Sequence, residues 1–156
     1  FQDARIDYND FVKAMLQDDI KAMNAYMNRV ALKTFSYFDT GNRPSGEEPE
    51  RFYHGFVLGL MVDLQGRYMI TSNRESGFGR YDVMLEPKNP KEDDAFVLEF
   101  KVHDPEDEAT LEETVQAAHR QIEQKQYEAQ LTARGIKKEQ IRSYGFAFEG
   151  KRILIG

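Results

Sequence analysis

The sequence predicts a mixed α/β (α+β) domain: a mixed sheet in helix, three strands, helix, strand order, preceded by a helical pair. Three observations predict it. A nearly all-apolar helical segment (50–64) is followed by three short alternating runs at 67–73, 79–86 and 95–102. One long amphipathic helix, 111–131, comes next. Alternation then returns at 141–148 and 152–155. Three strands joined by short turns read as an antiparallel meander. A helix before the next strand reads as a crossover, which makes the sheet mixed and puts helices on both its faces.

Taken in order, residues 7–38 read as two helices. Phe11, Val12, Met15 and Leu16 form one apolar stripe, and Ile20, Met23, Met27 and Val30 form another. Asp18 and Asp19 stand between them, where an N-cap belongs. Thr40 to Gly46 is a loop by composition and marks the expected boundary between a helical lead-in (1–40) and the main domain (41–156). The lead-in is expected either to pack on this domain's own sheet or to serve as an assembly surface for a partner. Ser72 to Gly77 reads as the turn leaving the first strand, and Pro87 to Pro90 closes the second. The third, Ala95 to Val102, is apolar enough to be central. The long helix runs from Leu111 to Leu131 with Leu111, Val115, Ala118 and Ile122 on one stripe, and Gly135 follows as its stop signal.

Composition narrows the function classes. Hydrophobic residues make up 40% and charged residues 31%, which places the chain among ordinary globular proteins. With no cysteine, disulfide staples, thiol nucleophiles and thiolate zinc sites are all excluded. No apolar run is long enough to span a membrane, and no leader segment opens the sequence, so a cytoplasmic location is expected. Opening on Phe1 rather than Met, the sequence is expected to be part of a longer chain. The formal net charge of −6 argues against a surface built for nonspecific nucleic-acid binding. Many of those acids are concentrated at Asp104 to Glu108 with Glu112 and Glu113, a stretch that can lie far from a substrate groove.

Strand alternation singles out the chemistry. Along the third strand, Phe96, Leu98, Phe100 and Val102 share one face, while Ala95, Val97, Glu99 and Lys101 share the other. Burying an acid or a lysine unpaired in a central strand costs several kcal/mol. The plain alternatives are a Glu–Lys ion pair or a solvated edge strand. On the second strand Arg80 and Asp82 share a face, opposite Tyr81, Val83 and Leu85. If these strands form a hairpin, Asp82 comes beside Glu99, and two touching carboxylates repel unless a proton or a cation lies between them. A hard divalent ion suits such a pair. A lysine two residues further along can orient or deprotonate a water, or neutralise a phosphate.

Asp82, then sixteen residues, then Glu99-Phe100-Lys101, on two strands between two helices, resembles the PD-(D/E)xK phosphodiesterase superfamily, with Tyr81 where a proline is usual. More narrowly, several motifs spanning about residues 50–148 resemble the nuclease-like domain at the C-terminus of bacterial AAA-ATPase-like proteins. They are Phe52-Tyr53-His54-Gly55, Ser72 to Gly77, Gly79-Arg80-Tyr81-Asp82, Glu99-Phe100-Lys101, and Gln121-Ile122 with Lys125 and Tyr127. The resemblance implies a restriction-endonuclease-like fold and a metal-dependent nuclease hydrolysing DNA or RNA through a metal-activated water. Asp82 and Glu99 would be ligands of Mg²⁺ or Mn²⁺, Lys101 the catalytic lysine, and the carbonyl of Phe100 a further ligand. It also implies nucleic acid as partner, DNA ahead of RNA, and an ATPase domain elsewhere in the same longer chain. Residues 1–40 would then be the end of a linker, and no phosphate-binding GxxxxGK[ST] loop occurs in this sequence.

The remaining candidates follow from the same resemblance. Glu75 is the candidate third acid, with Glu50 in reserve; otherwise Glu75 is a solvated turn residue. Gly77 and Gly79 mark either a turn needing positive φ or a loop thin enough for a phosphate backbone to approach. Arg80 is a phosphate contact or a structural ion pair. Gln121 and Lys125 share one helical face and point to the site or to solvent. His54, in an apolar helix, is a core histidine or a group approaching the site. His119 reads as exposed, Tyr127 as packing, and the three histidines lack metal-ligand spacing. Against the enzyme stands a catalytically silent, nuclease-like binding or regulatory module of an ATPase-linked protein.

Overall fold

Five strands form one sheet in the order β1-β2-β3-β4-β5. The computed structural model describes residues 8–38, 48–75 and 80–156, and, within those, all side chains except those of 35–38, 48–50, 74, 75 and 80. The strands are β1 (Tyr68–Glu75), β2 (Arg80–Pro87), β3 (Ala95–Val102), β4 (Ile141–Glu149) and β5 (Arg152–Ile155). Every neighbouring pair is antiparallel except β3 and β4, which run parallel because a helical crossover joins them. The mixed sheet with helices on both faces is the predicted fold class.

The first face carries the larger core. Helices α1 (Asp10–Leu16), α2 (Ile20–Phe38) and α3 (Glu48–Met61) lie over it. Phe11, Met15, Met23, Met27, Tyr53 and Val57 pack there against Tyr81, Val83, Leu85, Phe96, Leu98, Phe100, Phe146 and Phe148. Tyr53 stacks on Phe148 with ring centroids 4.8 Å apart, and Phe100 stacks on Phe146 at 4.6 Å. The N-terminal helices are thus built into the core of the sheet. Asn24 and Asn28, one turn apart on α2, each accept from and donate to alternate residues of the edge strand β5. Their amides do for β5 what a neighbouring strand would do, and so close that edge. The expected loop at Thr40 to Gly46 lies outside the described residues.

The second face is covered by α4 (Leu111–Gln124) and α5 (Tyr127–Ala133). Here the sequence expectation of one unbroken helix from Leu111 to Leu131 is corrected. The chain turns at Lys125, and Gln126 takes a left-handed conformation (φ 56°, ψ 36°) before α5 starts. Met84, Ala95 and Val97 meet Ile122, Tyr127 and Leu131 beneath this joint. Gly145 lets α4 come close: a Cβ there would stand 3.0 Å from the Val115 carbonyl oxygen and 3.1 Å from Ala118 Cβ. Gly145 is the register partner of Glu99, so this close approach sets the height of α4 over the acid-bearing part of the sheet.

Candidate active site

Alternation along β2 and β3 sends Asp82 and Glu99 to the α4–α5 face, and the antiparallel ladder places them directly opposite each other. Both are buried, at 2% and 0% exposure. Two carboxylates in that position need compensating donors. Asp82 Oδ1 accepts from the Asn73 side-chain amide at 3.1 Å. Its Oδ2 accepts from the Tyr127 hydroxyl at 2.6 Å and from the Lys125 ammonium at 2.9 Å. Lys125 Nζ also lies 3.4 Å from Glu99 Oε1, so a single ammonium bridges the acids.

The electrostatics follow from this geometry. Burial would lower the Lys125 pKa, but the hydrogen bond to Asp82 and the attraction of both carboxylates outweigh it and hold the ammonium above its usual range. Burial and the neighbouring Asp82 carboxylate both push the Tyr127 phenol upward, which keeps its proton in place as a donor. Asn73 is the β1 register partner of Asp82. The strand register identifies it, whereas the sequence assigned Asn73 to a turn.

Lys101 has a different partner. Its ammonium bonds Glu108 Oε2 at 2.6 Å, in the acidic loop after β3. Among the described residues no hydrogen bond or ion pair joins it to Asp82 or Glu99. Glu108 also accepts from the Asp104 amide and the Thr114 hydroxyl, both at 2.8 Å. Burial disfavours its ionisation, but the Asp104 amide, Lys101 and Thr114 prevail and hold the carboxyl below the ordinary range. His103 Nδ1 contacts the same Thr114 hydroxyl at 2.8 Å. A cavity of about 240 Å³ opens beside this network, lined by Lys101, Glu108, Arg120 and Gln121 among others. Gln121 therefore sits with Lys101.

The other candidates are distributed as follows. His54 stacks on Tyr81 (4.5 Å between ring centroids) and bonds the Ser72 hydroxyl at 2.6 Å. It therefore lies across the sheet from the acids; burial lowers its pKa, and the charge of Asp82 only partly opposes that. Phe100 buries its ring in the first core, between the two site-facing residues of β3. The backbones of Glu75 and Arg80 pair as the last rung of the β1–β2 ladder, while their side chains, and that of Glu50, lie outside the described part. Gly77 and Gly79 lie outside the described residues. His119, expected to be exposed, is half-buried and bonds the Gly156 carbonyl at 2.9 Å. Tyr127, read as packing, does pack, and its hydroxyl is also a site group.

A mixed five-stranded sheet with two acids in register on β2 and β3, and a Glu-x-Lys triplet on the central strand, defines a nuclease-type α/β domain. A family model described as the PD-(D/E)XK nuclease superfamily matches residues 48–156, and the chain belongs to that superfamily. Comparisons with curated proteins and with solved structures gave no match. PD-(D/E)XK nucleases generally use divalent metals, and the nuclease class implies binding of nucleic acid.

The residues present fit such an ion. Asp82 and Glu99 are hard oxygen donors held side by side, and the protein already places a positive charge, the Lys125 ammonium, against both. Among the described residues no group of three or more His, Asp or Glu side chains forms a ready cage. A pair of carboxylates is a donor set that a hard divalent ion can accept while keeping several waters.

Proposed function

We propose that the chain is a metal-dependent phosphodiesterase, a nuclease that hydrolyses DNA or RNA, DNA being preferred, with Mg²⁺ or Mn²⁺ as cofactor. The observation that carries this reading is the burial of Asp82 directly opposite Glu99, compensated by a cation. Burying two facing carboxylates is costly even when a cation compensates them, which favours a functional over a purely structural role. Asp82 and Glu99 would hold the metal, with the Phe100 carbonyl and Glu75 as further ligands. When bound, the metal would supply a water of lowered pKa and a positive charge facing the phosphate. Lys101, with Gln121 beside it, would orient that water, and Arg80, Gly77, Gly79 and Lys125 would be the contacts to nucleic acid. His54, across the sheet, stays outside this set. The reading extends to an ATPase domain in the same longer chain and to a cytoplasmic location, supported by the resemblance of the 50–148 motifs and by the absence of cysteine.

A cleavage assay on single- and double-stranded DNA and RNA, with Mg²⁺ and with Mn²⁺, tests the proposal. Asp82→Asn and Lys101→Met are expected to abolish cleavage while the far-ultraviolet dichroism stays unchanged. An Asp82→Asn/Glu99→Gln double variant as active as the parent protein overturns it. A second reading, a catalytically silent regulatory module, is favoured by one observation: Lys101 is tied to Glu108 rather than to the acid pair. It wins if calorimetry finds no Mn²⁺ binding at millimolar concentration, with or without DNA.

A further inference from the structure

The α4–α5 joint is a costly piece of backbone. Lys125 ends one helix, Tyr127 begins the next, and Gln126 between them adopts positive φ without being glycine. On an unbroken helix, residues two apart point about 200° away from each other. Lys125 and Tyr127 could not then both reach Asp82. With the break, the ammonium and the hydroxyl meet the same carboxylate oxygen, Asp82 Oδ2, at 2.9 and 2.6 Å. The joint delivers two donors to the acid pair from one short segment.

The two donors are not equivalent. The Tyr127 hydroxyl gives a hydrogen bond and no charge. The Lys125 ammonium gives charge to both acids, lying on Asp82 Oδ2 and Glu99 Oε1, and these are the two residues that would hold a divalent cation. Lys125 is 17% exposed on a long flexible stem, so it can withdraw toward solvent without moving the sheet. We propose that Lys125 is a positioning residue that acts as the built-in counter-cation of the Asp82–Glu99 pair and competes with the divalent metal for those oxygens. This inference rests on the metal site proposed above. It gives Lys125 two stations: on the acids in the metal-free protein, and at the rim, facing phosphate, when the metal is held.

Calorimetric titration with Mn²⁺ tests the competition. Lys125→Met is expected to bind Mn²⁺ about tenfold more tightly than the parent protein, a coupling of ordinary size between two ligands of one site. Lys125→Arg, which keeps the charge, stays near the parent affinity, and Asp82→Asn loses binding. A residue that merely holds the fold together would weaken binding when removed. Should Lys125→Met fold poorly, the parent protein answers the same question through amine acylation read by mass spectrometry. Mn²⁺ is expected to raise acylation at Lys125 about tenfold and to leave Lys101, held by Glu108, unchanged. Unchanged or weaker Mn²⁺ binding in folded Lys125→Met, or acylation at Lys125 indifferent to Mn²⁺, overturns the competition. If Mn²⁺ still binds through Asp82, the metal site stands without it. Absence of Mn²⁺ binding in parent and variant alike removes the metal site and the competition together.

Discussion

On one face of β3, Phe96, Leu98 and Phe100 are held by rings and aliphatic chains from three helices. On the other, two residues beyond Val97, Glu99 is held by its register with Asp82 and by the Lys125 ammonium. The first face is stabilised by area, which is non-directional and spread over many neighbours. On the second face each group depends on a few directional contacts, as Asp82 does on Asn73, Lys125 and Tyr127. A single strand therefore supports both a core that tolerates apolar swaps of conserved volume and a site that loses a hydrogen bond or a charge with each exchange.

The contrast is broken most severely from the aromatic side. Phe100→Ala removes a ring stacked on Phe146 and is expected to cost about 3–5 kcal/mol, measured by urea denaturation. A loss below 1 kcal/mol would mean that this face is loosely packed. On the polar side the steric margin lies at Gly145. Gly145→Ala pushes a methyl against the Val115 carbonyl and is expected to cost about 1–3 kcal/mol. Because it lifts α4, it should also weaken Mn²⁺ binding more than Phe100→Ala does. Equal effects on the metal would erase the distinction between the faces.

The smallest effect concerns the Lys101 tether. Glu108 has a depressed pKa in the folded state, so its contribution to stability is full above the unfolded carboxylate pKa and is lost as pH falls through the lower folded value. Glu108→Gln should therefore lower stability near neutrality by about 1 kcal/mol and flatten the loss on acidification. Parallel acid limbs in the variant and the parent protein would show that the tether contributes nothing.

Much of this architecture is legible in the residues alone. The period-two pattern marks β3 as Ala95 to Val102 and separates its faces, and the hairpin spacing brings Asp82 opposite Glu99. Local patterns carry these features because alternation and turn chemistry act over a few residues. The break at Gln126 is silent in the sequence because it interrupts a well-formed amphipathic stripe with no glycine or proline to announce it. Asn73, read as a turn residue, and Tyr127, read as packing, show their contact with Asp82 only when β1 and α5 are placed against it. The asparagine pair that closes β5 is likewise silent in the sequence, its partners lying more than a hundred residues away.

Which residues face the acid-bearing side of the sheet, and that two acids and a lysine share it, follows from periodicity and charge, because a buried carboxylate is too expensive to be incidental. Which lysine serves those acids does not follow. Lys101 stands in the Glu-x-Lys triplet, yet the loop after β3 gives it to Glu108, and the bend after α4 brings Lys125 across 43 residues of chain to Asp82. Ion pairs form over a few ångströms of space, whatever the separation along the chain. The assignment of cations to carboxylates is therefore made by packing, after the strands and helices already exist.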